Sequence, residues 1–250
     1  MERGSHFAGG GPHAAPRTAV VWEVLRRELE RCARRRLDVV DVGGGTGGFA
    51  VPLAEAGHTV TVVDASPDAL AALTRRAADA GVADRVRAVQ GDADALAGLV
   101  PAAGADLVLC HSVLEVVDAP DEVVAAIAAS LRPGGAASVI VANRVASVLA
   151  RALAGHLETA VSLLHDPDGR VHDGRDTLLR RYDAESAGAA LTKAGLVVEE
   201  VHGVRVAADL VPGLVVERDP DALVAFELAT AAHPPYRDIA TQLHLLARRP

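Results

Sequence analysis

Five glycines within six residues, preceded by an acidic residue, form the stretch of this sequence most typical of a ligand-binding site. The glycines occupy residues 43–48, after a valine-rich segment at 39–42 that predicts a buried parallel strand and before a predicted helix at 49–56. Glycine tolerates positive φ and lets a ligand approach the backbone without meeting a Cβ. The first N–H groups of the helix would face that ligand. An ordinary strand-to-helix turn needs one or two glycines, so this run indicates a binding loop.

Two patterns fit the loop, and they imply different ligands. Gly43, Gly45 and Gly48 satisfy G-x-G-x-x-G, which favours a nicotinamide or flavin nucleotide. Asp41 with Gly43, Gly45 and Gly47 fits D-x-G-x-G-x-G, which resembles the first motif of the class I S-adenosylmethionine-dependent methyltransferases. The loop alone leaves both ligands open.

Further polar residues follow other predicted strands. Asp64 ends the second strand, where an acid can accept hydrogen bonds from ribose hydroxyls or cap the next helix. Asp92 and Asp94 follow the third strand, where either could accept from the amine of an adenine, and where both could also be solvated loop acids. His111 follows the fourth strand, where it could line a reaction site, orient a ligand, act as a base or be structural.

A regular alternation of strands and helices would bring these residues together. It predicts an α/β fold with a mostly parallel sheet, helices on both faces and ligands at the carboxyl ends of the strands. Gly57 and Gly81 end helices, and Ser66 begins one. Segment 196–206 predicts a later strand, with 241–247 pairing antiparallel to it at the sheet edge. The predicted earlier strands are 37–42, 58–63, 85–90, 106–110 and 136–142.

The chain is predicted to be one domain with two additions. Residues 1–15, rich in glycine, histidine and proline, are expected to form a mobile tail or a lid. Residues 16–250 form the domain, which begins with an amphipathic helix. After Asn143 the alternation lapses, and residues 144–182 are expected to form a small cap of helices and loops over the site.

Composition limits the possible partners. The 250-residue chain has a net charge of −8, which argues against a broad nucleic-acid-binding surface and leaves a local basic patch possible. Two cysteines, Cys32 and Cys110, exclude a disulfide framework and have no metal-ligand companion, so no metal is expected. The sequence shows neither a long apolar run nor a leader, and we expect a cytoplasmic protein without membrane contact.

One turn favours the methyltransferase interpretation. Residues 131–135, Leu-Arg-Pro-Gly-Gly, resemble the turn that class I methyltransferases place before their fifth strand. With the glycine motif and the strand-end residues in order, residues 16–142 resemble that family. The resemblance implies S-adenosyl-L-methionine as cofactor and a Rossmann-like class I methyltransferase fold, a seven-stranded, mostly parallel sheet with an antiparallel edge strand and a small cap.

The second half resembles one subfamily, the bacterial tRNA methyltransferases that esterify the carboxyl group of 5-carboxymethoxyuridine at the wobble position. That family carries a lysine-rich segment in the insertion, whereas residues 164–170 contain a single arginine here. This departure weakens the inference of a tRNA acceptor. The matching positions are 16, 17, 22, 111, 113–115, 143, 154–156, 203–206, 209, 235–236, 244 and 247–250.

The resemblance implies a role for individual residues. Arg17 would hold the carboxylate of the donor's methionine portion, Asp64 the ribose, and His111 would close the site near the sulfonium as the candidate catalytic residue. The implied donor-binding set is Arg17, Asp41, Gly43, Gly44, Gly45, Asp64, Asp92, Ala93, Asp94 and His111. The implied acceptor-binding set is Asn143, Arg205 and Tyr236.

The expected chemistry follows from the donor. A methyl group on a sulfonium is already activated, so the protein mainly supplies alignment and desolvation. A carboxylate acceptor needs no general base, whereas a hydroxyl or amine would use His111. The alternatives to the tRNA enzyme are a small-molecule O-methyltransferase, a nucleotide-dependent oxidoreductase and a regulator that binds the donor without methylating anything.

Overall fold

A computed structural model describes residues 15–32, 34, 36–171 and 176–250 of the chain. Residues 1–14 of the predicted tail or lid, and 172–175 of the predicted cap, lie outside the described residues. The strands are β1 (Asp38–Val42), β2 (Thr59–Asp64), β3 (Val86–Gln90), β4 (Ala105–His111), β5 (Leu131–Ala142), β6 (Val197–Val204) and β7 (Gln242–Arg248). The helices are α1 (Ala19–Arg31), α2 (Ala50–Glu55), α3 (Pro67–Asp79), α4 (Leu96–Leu99), α5 (Pro120–Ser130), α6 (Arg144–Leu153), α7 (Leu157–His165), α8 (Ala184–Lys193), α9 (Gly213–Arg218) and α10 (Pro220–Thr230).

The strands form one seven-stranded sheet in the order β3-β2-β1-β4-β5-β7-β6. β1 to β5 pair in parallel, and β7 pairs antiparallel with both β5 and β6. The predicted parallel sheet and the antiparallel pairing of the last two strands are confirmed. β6 takes the outermost position and β7 lies inside it. Their sequences explain this order, because β7 is apolar and buried along most of its length while β6 carries Glu199 and Glu200.

The sheet separates two apolar layers. On one face Leu25 of α1 and Leu73 of α3 pack over the strands, and on the other Ile127 of α5 and Leu191 of α8 do so. Valine, leucine and alanine form most of both layers, as expected for a chain with 2% aromatic residues. With both faces covered, the free polar positions lie at the strand ends.

Several elements differ from the sequence expectation. β5 begins at Leu131 rather than at residue 136, because the Pro-Gly-Gly turn is a bulge between the pairs Ala105–Leu131 and Leu107–Ala136. Helices α9 and α10 between β6 and β7 were not predicted, although Asp219 provides an N-cap for α10 by accepting from the Ala222 N–H at 3.0 Å. None of the described helices is long and apolar enough to cross a membrane.

Candidate active site

A cavity of about 490 Å³ lies at the carboxyl ends of the parallel strands. Its lining combines acidic side chains with valine side chains, from Val63, Val113, Val116 and Val117. This combination suits a flat, polar heterocycle whose faces contact the valines and whose edge donates to carboxylates. The lining residues are Gly43, Val63, Asp64, Ala65, Gly91, Asp92, Ala93, Asp94, Ser112, Val113, Val116, Val117 and Asp118.

Five of the residues predicted to bind the donor line this cavity: Gly43, Asp64, Asp92, Ala93 and Asp94. Asp92 and Asp94 flank Ala93 at the start of a 3₁₀ turn, and both line the cavity, so the contact of either one with an adenine stays a prediction. Residues 112, 113 and 116–118 form another part of the cavity wall, and most of them were missed from the sequence. A lone apolar stretch after a strand carries no signal that separates a cavity wall from core.

The glycine loop is shaped by packing within the protein as well as by its ligand. Gly43 has a φ of +68°, and a Cβ there would overlap the Val113 side chain. A Cβ at Gly44 would lie 2.5 Å from Oδ2 of Asp41 and 2.9 Å from a methyl group of Val62. These glycines therefore let the loop lie flat against Asp41 on one side and the cavity wall on the other.

Asp64 holds the loop from the neighbouring strand. Its Oδ2 accepts from the Gly45 N–H at 2.8 Å, and its Oδ1 accepts from the Ser66 N–H at 2.9 Å. Ser66 itself caps α3 by accepting from the Ala69 N–H. A carboxylate has about four lone-pair sites. Asp64 therefore retains acceptors for ribose hydroxyls while it fixes the glycine loop beside the cavity.

Asp41 is a buried carboxyl group under the same loop. Its Oδ2 has no hydrogen-bond partner among the described residues. Burial, together with the nearby carboxylate of Asp64, raises the pKa of Asp41 to about 7. An unpaired buried carboxyl is costly in the free protein. It fits a site that gains a positive charge or a hydrogen-bond donor when the ligand binds.

His111 lies beside the cavity, next to the lining residues Ser112 and Val113. Its Nε2 is 2.9 Å from the Ser138 hydroxyl, and its ring meets Phe49 edge-on with centroids 4.7 Å apart. Burial lowers the pKa of His111 to about 3, so the ring is neutral at physiological pH. Its Nδ1 has no partner among the described residues.

Arg17 and Arg205, predicted for the donor and the acceptor respectively, meet on a single carboxylate. Arg17 Nη2 lies 2.9 Å from Asp209 Oδ1, and Arg205 Nε donates to Asp209 Oδ2 at 2.7 Å. Arg205 also contacts Gln242 at 3.4 Å, and the Gln242 amide donates to the Ser112 hydroxyl at 3.0 Å. Because Ser112 lines the cavity, this polar chain joins the two guanidinium groups to the donor site.

A buried acid supports the segment that carries Arg205. Glu227 of α10 is fully buried, and its carboxylate accepts from the N–H groups of Val206, Ala207 and Ala208 at 2.8 Å each. Arg205 adopts a φ of +63° at the start of this segment. The role of Glu227 was not predicted, because no local sequence pattern indicates that an acid on one helix binds the backbone of a loop about twenty residues earlier.

The remaining acceptor-site predictions fare differently. Asn143 is buried, and its amide donates to the carbonyls of Asp238 and Ala240 at 2.8 Å each while its Oδ1 accepts from the Val145 N–H. Both amide hydrogens are engaged inside the protein, so Asn143 anchors the segment 238–240. Its contact with the methyl acceptor stays a prediction. Tyr236, just before that segment, is about half exposed.

Arginines at the end of the predicted cap are engaged inside the protein. The Arg180 guanidinium donates to the carbonyls of Leu114, Val117 and Asp118, and the last two residues line the cavity. Arg181 forms a buried ion pair with Asp176 at 2.7 Å. The described residues contain no group of three or more His, Cys, Asp or Glu side chains that could hold a metal ion.

Comparison with known proteins gives consistent matches. A methyltransferase domain family model matches residues 39–135. The tRNA 5-carboxymethoxyuridine methyltransferase of Escherichia coli K12 is 30% identical over 237 residues, covering 94% of this chain and 88% of that protein. The ubiquinone biosynthesis O-methyltransferase of Xanthomonas axonopodis pv. citri is 33% identical, covering 72% of this chain and 70% of that protein. A solved S-adenosylmethionine-dependent methyltransferase from Mesorhizobium loti superposes with a TM-score of 0.65 at 20% identity, covering 96% of this chain and all of that one.

Proposed function

The chain belongs to the class I S-adenosylmethionine-dependent methyltransferases, and we propose that it methylates a carboxylate oxygen, with 5-carboxymethoxyuridine at the tRNA wobble position as the leading acceptor. Family membership decides against the nucleotide-dependent oxidoreductase alternative. The tRNA acceptor is supported by the match to the E. coli enzyme, which extends beyond the donor-binding half into the segments that carry Arg205 and Tyr236.

The donor site has the chemistry that S-adenosylmethionine requires. Asp64 would accept from the ribose, and Asp92 or Asp94 from the adenine amine, with the valines of the cavity wall against the ring. The carboxyl group of Asp41, buried beneath the glycine loop, would attract a cationic donor bound above that loop. When bound, this cofactor supplies an electrophilic methyl group on a sulfonium.

The meeting of two arginines on Asp209 carries the proposal of an anionic acceptor. Arg17 is two-thirds exposed, so its side chain can turn away to a ligand carboxylate at little cost. Arg205, still held by Asp209 through its Nε, would grip the acceptor's carboxylate with other N–H groups of its planar fork. In this assignment Arg17 holds the methionine carboxylate of the donor, and Arg205 holds the acceptor.

The proposed mechanism relies on alignment rather than on base catalysis. A carboxylate acceptor is already an anion, so no proton has to be removed before its oxygen attacks. A neutral His111 suits this reaction, because it places no positive charge beside a cationic donor. The cavity walls would replace water around the sulfonium of the donor and the carboxylate of the acceptor with fixed protein dipoles.

One observation favours a small-molecule acceptor as the second candidate. The guanidinium of Arg181 is buried in an ion pair and that of Arg180 is engaged by backbone carbonyls, and the chain carries a net charge of −8, so little positive charge is offered to an RNA backbone by this segment. The ubiquinone biosynthesis relative is an O-methyltransferase by name and matches a smaller part of the chain.

Transfer of a labelled methyl group tests the two acceptors directly. The acceptors are tRNA that carries unmethylated 5-carboxymethoxyuridine and a panel of small carboxylic acids and phenols. We expect label in the tRNA, a strong loss of transfer with Arg205→Ala, and normal transfer with Arg36→Ala, an exposed arginine at the opposite end of the sheet. Label in a small molecule alone would support the second candidate. Donor binding with no transfer to any acceptor would favour a regulatory protein.

A further inference from the structure

A row of polar side chains crosses the sheet beneath α1, inside an otherwise apolar layer. His111 lies on β4, Ser138 on β5, His244 on β7 and His202 on β6, so four neighbouring strands contribute one residue each. Ser138 and His244 are completely buried. Buried imidazoles and hydroxyls are costly unless they are hydrogen-bonded, and this row satisfies them through one another.

The contacts between these side chains form a continuous hydrogen-bonded chain, called the polar chain below. The Ser138 hydroxyl lies 2.9 Å from Nε2 of His111 and 2.8 Å from Nε2 of His244. The Nδ1 atoms of His244 and His202 are 3.5 Å apart. Nε2 of His202 lies 3.1 Å from Oε2 of Glu200. The chain thus runs from the edge of the donor site to a carboxylate on the outer strand.

The outer end of the polar chain, at Glu200, is accessible to water and is held by an ion pair. Glu200 pairs with Arg27 of α1 at 2.8 Å, and both residues line a second cavity together with His202. A carboxylate can only accept hydrogen bonds, so Nε2 of His202 must donate to Glu200. The guanidinium of Arg27 keeps that carboxylate in place.

The direction of every other link follows from this one. Burial lowers the pKa of all three histidines, which are therefore neutral and have one N–H each. His202 donates from Nε2, so its Nδ1 accepts from Nδ1 of His244. His244 Nε2 then accepts from the Ser138 hydroxyl, whose oxygen accepts from Nε2 of His111. His111 is left with a bare Nδ1, the atom that has no partner among the described residues.

We propose that Ser138, His244, His202 and Glu200 are positioning residues that fix the Nε2–H tautomer of His111, so that its buried Nδ1, beside the donor cavity, carries a lone pair rather than an N–H when the cationic methyl donor binds. The second part rests on the proposed function. A lone pair attracts a sulfonium and repels a carboxylate, so His111 orients the donor rather than the acceptor. The reversed arrangement would place an N–H beside the donor and weaken its binding.

Glu200→Gln tests the direction of the chain from its far end. The glutamine amide can donate to His202, which permits every link to reverse and gives His111 an Nδ1–H tautomer. Nitrogen-15 NMR of histidine-labelled protein without ligands separates the two tautomers, with His111, His202 and His244 assigned through single His→Gln variants. We expect the Nε2–H form of His111 in the wild type and a substantial Nδ1–H population in Glu200→Gln.

Glu199→Gln is the matched control, because the neighbouring Glu199 pairs with Arg248 and lies outside the chain. It should leave the His111 signals unchanged. An Nδ1–H form of His111 in the wild type, or an identical His111 tautomer in Glu200→Gln and the wild type, would overturn the proposal. Neither result depends on any methyltransferase activity.

The role of the lone pair has its own readout. S-adenosylmethionine and S-adenosylhomocysteine differ by the methyl group and by the positive charge on sulfur. Glu200→Gln should weaken the binding of the charged donor more than that of the neutral product, by roughly three- to tenfold. Equal losses of affinity for both ligands would mean that the polar chain only supports the fold. Failure of the wild type to bind either ligand would instead refute the proposed function and leave the tautomer result standing.

Discussion

Replacing Asp41 with asparagine should change how the stability of the protein depends on pH. Burial raises the pKa of Asp41 to about 7 in the folded protein, against about 3.9 in an unfolded chain. Between these values the folded protein holds a proton that the unfolded chain has lost. Stability therefore falls as the pH rises from about 4 to about 7 and is constant above that window. Between pH 5 and pH 8 the loss amounts to roughly 2.5 kcal/mol.

Asp41→Asn has no proton to lose at this position. The free energy of unfolding of the variant, relative to that of the wild type, should therefore be about 2.5 kcal/mol higher at pH 8 than at pH 5. Urea unfolding followed by circular dichroism at both pH values measures this change. The energetic cost of placing the asparagine amide beside Gly44 is the same at both pH values, so it cancels from the difference between them. Asp68→Asn, at an exposed acid in the first turn of α3, is the control and should follow the wild type. Parallel pH profiles for Asp41→Asn and the wild type would refute the reasoning.

Three further changes test the donor loop and the Arg205 segment. Asp64→Ala removes the acceptor of the Gly45 N–H and should weaken S-adenosylhomocysteine binding by about 1–3 kcal/mol in calorimetric titration; an unchanged affinity would mean that Asp64 does not contact the donor. Gly44→Ala should destabilise the protein by about 1–3 kcal/mol in urea unfolding, whereas Gly48→Ala, with open space around it, should leave the midpoint nearly unchanged; equal midpoints would contradict the packing account. Glu227→Gln should cost about 1–3 kcal/mol and raise the KM for the acceptor through the Arg205 segment, and a wild-type KM would argue against that role.

The donor half of the site was largely predictable because its signals are local. A glycine run after a valine-rich strand, an acid at the end of the next strand and two acids after the third fall at one edge of a parallel sheet by topology alone. The structure brings Gly43, Asp64, Asp92 and Asp94 around one cavity for this reason. The assignment of their individual roles toward the donor stays a prediction.

The acceptor half depended on contacts between distant parts of the chain, which sequence pattern does not encode. Asn143 was expected to bind the acceptor, yet it anchors residues 238–240, almost a hundred positions away. The carboxylate of Glu227 organises residues 206–208 from a helix that the pattern did not predict. In each case a polar side chain is satisfied by backbone groups that only the folded chain brings near.

The chemical nature of the transferred label is the most direct test of a carboxylate acceptor. A methyl ester is hydrolysed by mild alkali and releases its methyl group as volatile methanol, whereas a methyl ether, a methylated amine or a methylated base carbon is not. After reaction of the wild-type protein with methyl-labelled S-adenosylmethionine and unmethylated 5-carboxymethoxyuridine tRNA, we predict label in the RNA that mild alkali converts to methanol. Alkali-stable label, or no label in the RNA at saturating protein, would contradict methylation of this carboxylate.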